Sequence, residues 1–154
     1  MKKLTIFVGV PVLLLIALFA VFYHNAPNDL KSVVCTNNLI GLYKALRNGA
    51  DPNQIISNGE EKTTPLVRVL ENDLCPKFMP SLWARLLIYY GADVNLAPDK
   101  YTPLMMAVSL DDYRSVALLL SRGARKELKN AGGETASTIA HKLRRKHILE
   151  LLEE

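Results

Sequence analysis

The sequence predicts an all-α solenoid of about four helix-turn-helix units with β-turn fingers, preceded by a transmembrane helix. Three observations predict the solenoid. Helical patterns close in one way at Arg47-Asn48-Gly49-Ala50-Asp51-Pro52-Asn53, Tyr89-Tyr90-Gly91-Ala92-Asp93-Val94-Asn95 and Ser121-Arg122-Gly123-Ala124-Arg125. Thr-Pro-Leu follows twice, at Thr64-Pro65-Leu66 and Thr102-Pro103-Leu104, and a worn version, Gly133-Glu134-Thr135-Ala136, follows the third. The glycines lie 42 and 32 residues apart and the threonines 38 and 33 apart. A period near 33 residues matches one helical hairpin, too small to bury its own core and stable only when stacked on a neighbour.

The chain starts with Met1-Lys2-Lys3 and an apolar run, Leu4 to Tyr23, that carries no charge over 20 residues. That length suits a bilayer-spanning helix and exceeds the usual apolar region of a signal peptide. Pro11 is tolerable where neighbours satisfy the freed carbonyl. Cleavage after Ala20 puts Leu18 at −3, and cleavage after Ala26 puts Pro27 just beyond the cut. Both are poor sites, so an uncleaved anchor is expected, with a removed signal peptide as the alternative. The lysines hold residues 1–3 in the cytoplasm, 4–23 cross, 24–27 link, and 28–154 fold on the far side. The Lys-Lys start resembles bacterial export segments, which makes the compartment the periplasm and the membrane the inner one. Cys35 follows Val34 and lies too far from the apolar run for a lipoprotein site.

Each unit has a local rationale. The first runs from Asn28 to Asn53, with Asn28-Asp29-Leu30 in place of Thr-Pro-Leu. The second runs from Thr64 to Asn95, with an insertion, Asp73 to Pro80, whose two prolines break a continuous helix. In it Phe78 and Met79 are expected to cover the convex edge, and Trp83 to sit in the core. The third runs from Thr102 to about Asn130 and is the best formed. Thr102 is a good N-cap, and Pro103 suits the first helical position because its missing N–H would go unused there. Leu104, Ala107 and Val108 make an apolar face, Asp111-Asp112 turn the chain, and Val116, Leu118, Leu119 and Leu120 supply the second helix. Gly123 suits a left-handed C-cap. The fourth unit runs from Thr135 to the C-terminus. Its Lys142, Arg144, Arg145 and Lys146 read as the solvated face of a capping helix whose other side carries Ile139, Leu143, Ile148, Leu151 and Leu152. A contact with anionic lipid or an acidic partner is the alternative.

Thr-Pro-Leu opening one helix and Gly-Ala-Asp-Val-Asn closing the next resemble the ankyrin repeat, over roughly residues 28–154. The resemblance implies a scaffold that binds other proteins. The family's His after Thr-Pro-Leu is Val67 in one unit and Met105 in the next, so its Thr–His hydrogen bond is expected to be missing. Stacking of adjacent units puts Cys35, near the end of the first helix of unit one, and Cys75, in the insertion, on neighbouring units. In an oxidising compartment they are expected to form a disulfide, worth up to ~4 kcal/mol in the chain-entropy model. Two unpaired thiols are the alternative.

The remaining chemistry is exclusionary. Net charge is +4, and setting aside Lys2 and Lys3 leaves +2 (histidines neutral), too little to argue for nucleic acid. The sequence has no Gly-rich phosphate loop, HExxH or GxSxG, and no CxxC near a histidine. Neither enzyme activity nor a cofactor or metal is expected. Glu60-Glu61, Asp111-Asp112 and Glu153-Glu154 are adjacent in sequence, in loops, turn and tail where solvation explains them.

Binding is the remaining purpose, by a monomer to a protein partner. The first finger, Gln54 to Thr63, is about four residues longer than the next, judged by Gly49-to-Pro65 against Gly91-to-Pro103. It carries Ile55 and Ile56 near a tip, Asn58-Gly59, that suits a tight hairpin. These isoleucines either anchor a partner or fold back on the stack. Asp99, Lys100 and Tyr101 come from the second finger. The resemblance implies that Arg68, Glu71, Asn72, Met106 and Ser109 line the concave side. A small, anchored, periplasmic ankyrin protein resembles immunity proteins that neutralise a periplasmic toxin. The alternative is an accessory or scaffold protein supporting an enzyme such as a catalase.

Overall fold

Four helical hairpins make up the computed structural model, which describes residues 30–35, 38–59, 61–71 and 80–154. Unit one pairs α1 (Leu30–Cys35) with α2 (Leu39–Arg47), and unit two pairs α3 (Pro65–Glu71) with α4 (Pro80–Tyr89). Unit three pairs α5 (Pro103–Ser109) with α6 (Tyr113–Ser121), and unit four pairs α7 (Ala136–Lys142) with α8 (Lys146–Glu153). The hairpins stack in two rows. First helices pack α1 on α3 on α5 on α7, and second helices pack α2 on α4 on α6 on α8. The apolar side chains between the rows form one continuous core. Leu42, Leu66, Leu87, Leu104, Leu119 and Ile148 are fully buried along it, and Trp83 is a core residue as expected.

Threonine opens three of the first helices. The Thr64 hydroxyl accepts the Val67 N–H at 3.2 Å, and the Thr102 hydroxyl accepts the Met105 N–H at 3.2 Å. Thr135 and Thr138 cap each other reciprocally, although the Thr-Pro-Leu signature has worn away there. Val67 and Met105, standing where the family has His, are both buried. Apolar packing thus holds these positions, while the threonine satisfies the backbone donor.

Second helices end as the glycines require. At Gly91, φ is 94°, which a side chain would disfavour. The Gly91 N–H then reaches Ile88 O and the Ala92 N–H reaches Leu87 O, both at 3.0 Å. This pair of reversed bonds uses two carbonyls the helix leaves unpaired. Gly49 and Gly123 close α2 and α6 with the same two bonds.

The last residue of Gly-Ala-Asp-x-Asn links each unit to the next. The Asn53 side chain donates to Gly91 O at 3.0 Å and accepts the Asp93 N–H at 2.7 Å. One unit further on, Asn95 donates to Gly123 O at 3.1 Å and accepts the Arg125 N–H at 2.8 Å. The corresponding residue of unit three is Glu127, and there the contact changes: Lys126 Nζ donates to Leu152 O at 2.9 Å, capping α8. Asn95→Ala is expected to cost about 1–2 kcal/mol, because two inter-unit hydrogen bonds are lost at a site water can reach. Urea denaturation should show a lower midpoint with an unchanged slope; an unchanged midpoint would mean the bonds contribute nothing net.

Two elements differ from expectation. The basic run is not a face of one capping helix. Arg144 has φ 57°, the Arg145 N–H turns back to Ala140 O at 2.9 Å, and the run becomes the turn between α7 and α8. Ile139, Ile148 and Leu152 are buried and Leu151 is half-buried, but the break turns Leu143 outward, to 42 % exposure. Asp111 and Asp112 are also more than a solvated pair. Asp112 caps α6 by accepting the Ser115 N–H at 3.1 Å, and Asp111 Oδ2 holds Arg145 Nη1 at 3.0 Å across 34 residues of sequence.

Among the described residues no helix is long and apolar enough to cross a membrane. Residues 4–23, the linker 24–27, Cys75 with Phe78 and Met79, and the side chain of Cys35 lie outside the described set. Cys35 itself ends α1, as expected.

Candidate protein-binding face

The first finger is a two-stranded antiparallel hairpin, β1 (Ile56–Asn58) and β2 (Glu61–Thr63), with Ile56 opposite Thr63 and Asn58 opposite Glu61. Gly59, at φ 69°, supplies the turn conformation that the Asn-Gly pair anticipates. Lys31 of α1 donates its ammonium to Ser57 O at 3.1 Å, tying the finger to the first unit. Side chains alternate along a strand, so neighbours point to opposite sides. That alternation separates the two isoleucines: Ile55 is 49 % exposed, whereas Ile56 is 3 % exposed. Ile56 therefore takes the second of its two expected alternatives and folds back on the stack, while Ile55 stays exposed.

Beside the hairpin, the second finger and the first helices form a seam. Glu71 of α3, Met106 of α5 and Asp99, Lys100 and Tyr101 line a single narrow depression together with Lys62. Arg68 joins through its ion pair with Glu71, 3.3 Å from Nη1 to Oε2. Lys100 Nζ lies 3.8 Å from Glu61 Oε1 and so bridges the two fingers. Both partners of that bridge are exposed, so it is worth only about 0–1 kcal/mol. Tyr101 is half-buried and packs on the core. Met106 is buried at 8 % exposure, which corrects its expected role: it forms the floor of the seam, and its neighbours form the surface. Ser109 is also drawn away, its hydroxyl donating to Met106 O at 2.9 Å. Asn72 lies outside the described residues.

The depression holds only about 20 Å³, far below the roughly 300–1,000 Å³ of small-molecule sites. Its chemistry is that of a surface: a ring and a thioether flanked by charges of both signs from the two fingers and α3. Among the described residues no group of three or more His, Cys, Asp or Glu side chains could hold a metal ion. Glu134 has its carboxyl held below the usual range, first by the Asn130 amide and then by Lys142. It belongs to the turn leading into α7, away from this seam. Sequence reasoning placed Glu71, Asp99, Lys100, Tyr101 and Met106 together, and missed Glu61 and Lys62. Their place in the finger hairpin beside the second finger was the available signal for those two.

The two rows of stacked hairpins define a helical repeat module. The chain belongs to the ankyrin-repeat family: the family model for ankyrin repeats (3 copies) matches residues 31–130. That family is typically one of non-catalytic protein-interaction modules. The match ends before α7, and the hairpin of α7 and α8 continues both rows for a fourth unit. No curated protein matches the chain.

Proposed function

We propose that this chain sequesters a protein partner against its two fingers and the first-helix surface between them. The observation that carries the proposal is the seam itself. Tyr101, Lys62, Lys100, Asp99 and Glu71 come from neighbouring units and form one continuous patch too shallow for a small molecule. Tyr101 is of a residue type that supplies interface hot spots, and the charges around it suit a polar rim. Tyr101→Ala and Ile55→Asp should each weaken a purified partner by about 1–3 kcal/mol if its hot spot lies here. Melting temperatures should barely move for Ile55→Asp, whose side chain is half exposed. Unchanged affinity in both variants would place the interface elsewhere.

The proposal extends to where the module acts. Residues 4–23 anchor it in a bacterial inner membrane, and residues 28–154 face the periplasm, where they neutralise a toxin as immunity proteins do. The uncharged 20-residue run and the preceding Lys2 and Lys3 support this topology. A phosphatase fused after Glu154 should then be active, and a dark fusion would refute export. In that compartment Cys35 and Cys75 pair; labelling of both thiols in denaturant without reductant would refute the bond. The immunity role requires the bound partner to lose its activity. A partner that stays active when bound would make the chain an accessory protein, as for an enzyme such as a catalase.

A further inference from the structure

On the opposite side of the stack, α4 and α6 enclose a trough that the finger surface does not explain. Its main part has a volume of about 740 Å³ and is walled by Leu82 and Arg85 of α4, Tyr113 and Arg114 of α6, and Arg122 just beyond α6. A second part of about 290 Å³ shares Leu82, Arg85 and Arg122 and extends the trough to Tyr89. Three arginines thus line one concavity. Among the described residues, the cations Arg68, Lys100, Lys142 and Arg145 each have a carboxylate within 4 Å. Arg85, Arg114 and Arg122 have none, a state they share with Arg47, Lys62, Arg125 and Arg144; what sets them apart is that they line one concavity.

Helix stability does not account for all three. Arg122 sits at the C-terminal end of α6, where a positive charge is favourable, so its position alone has a folding explanation. Arg114 is the second residue of α6, at the end where the helix dipole disfavours a cation. Arg85 lies in the middle of α4. The large apolar side chains on the same walls are exposed as well: Leu82 at 43 %, Tyr113 at 46 % and Tyr89 at 79 %. Leu82, Arg85 and Tyr89 follow one another at helical spacing, so one face of α4 alternates apolar and cationic groups over about 10 Å.

We propose that this trough is a second docking site, for an acidic segment of a protein partner. The guanidinium groups take its carboxylates in paired hydrogen bonds, and Leu82 with Tyr113 takes an apolar side chain between them. A carboxylate-rich strand or short helix supplies both groups at once. The site lies on second helices, whereas the finger seam lies on first helices, so the module can hold two partners or two parts of one.

The test uses the full chain in nonionic detergent and a fluorescent peptide with two glutamates on each side of a central leucine. Fluorescence anisotropy should show saturable binding that weakens with added salt. Arg85→Gln with Arg114→Gln should weaken it about tenfold or more. Tyr101→Ala should bind the peptide normally, which separates this site from the finger surface. The melting temperature of Arg114→Gln should stay level or rise, because the substitution removes a cation from a helix N-terminus. Absence of saturable peptide binding, or equal binding by the double variant, overturns the proposal. So does a marked loss of stability in Arg114→Gln, which would make that arginine structural. Displacement of the peptide by micelles doped with phosphatidylglycerol, but not by undoped micelles, would assign the arginines to lipid headgroups and overturn the peptide site.

Discussion

Leu119→Ala is expected to lower stability by roughly 2–5 kcal/mol, a large share of what a chain of this size possesses. Leu119 is fully buried in α6, at the centre of the best-formed unit, where units two and four meet unit three. A stack conducts stability only between neighbours, so damage here separates the two ends rather than fraying one of them. Thermal melts followed by circular dichroism should show a much lower midpoint, and binding at the fingers should fail only as the protein unfolds. A loss below 1 kcal/mol would mean that the core relaxes around the cavity more completely than the close packing of interiors allows.

Asp111→Ala is expected to cost about 1–3 kcal/mol, and its backbone conformation lets a glycine variant be told from the alanine one. The charge-assisted bond to Arg145 at 3.0 Å is worth about 1–3 kcal/mol, tempered because both side chains are about a third exposed. Asp111 also has φ 62°, where the native aspartate already bears most of the cost that alanine would bear and glycine would be spared. Asp111→Gly should therefore lose less than Asp111→Ala. His147 Nε2 stands 3.3 Å from Asp111 Oδ1, within ion-pair distance but not aligned as a hydrogen bond, and its ring stacks on Tyr113 at 6.1 Å. The contacts of Asp111 thus hold unit four to unit three. Native-state hydrogen exchange should find α7 and α8 exposed first in Asp111→Ala. Equal stability of the alanine and glycine variants would show that the backbone conformation carries no cost.

These features differ in how far the sequence reveals them. Gly91, Thr102 and Asn95 act within a few residues or on the adjacent turn, so the fold can be read from local chemistry: a left-handed cap, a hydroxyl at a helix start, an amide reaching the next unit. The seam around Tyr101 was legible through position in the repeat. Ile56 was not, because which of two adjacent isoleucines faces the stack depends on strand register, and register is set by pairing Ile56 with Thr63. Arg145 was misread for a similar reason. Its partner lies 34 residues away, and they meet only because Arg144 breaks the helix with a positive φ that its side chain does not announce. The outer trough is assembled from two units and follows no single motif, although Leu82, Arg85 and Tyr89 share one face of α4.

Site-specific photo-crosslinking tests the binding surface most directly. A photoreactive residue replaces Tyr101, Lys62 or Glu153 in the full chain, expressed in its own cells. The expected result is one discrete, light-dependent protein adduct from positions 101 and 62, carrying the same partner, with none from Glu153 at the exposed end of α8. Adducts from Glu153 alone, with positions 101 and 62 silent, would contradict binding at the fingers and place the interface on the last unit.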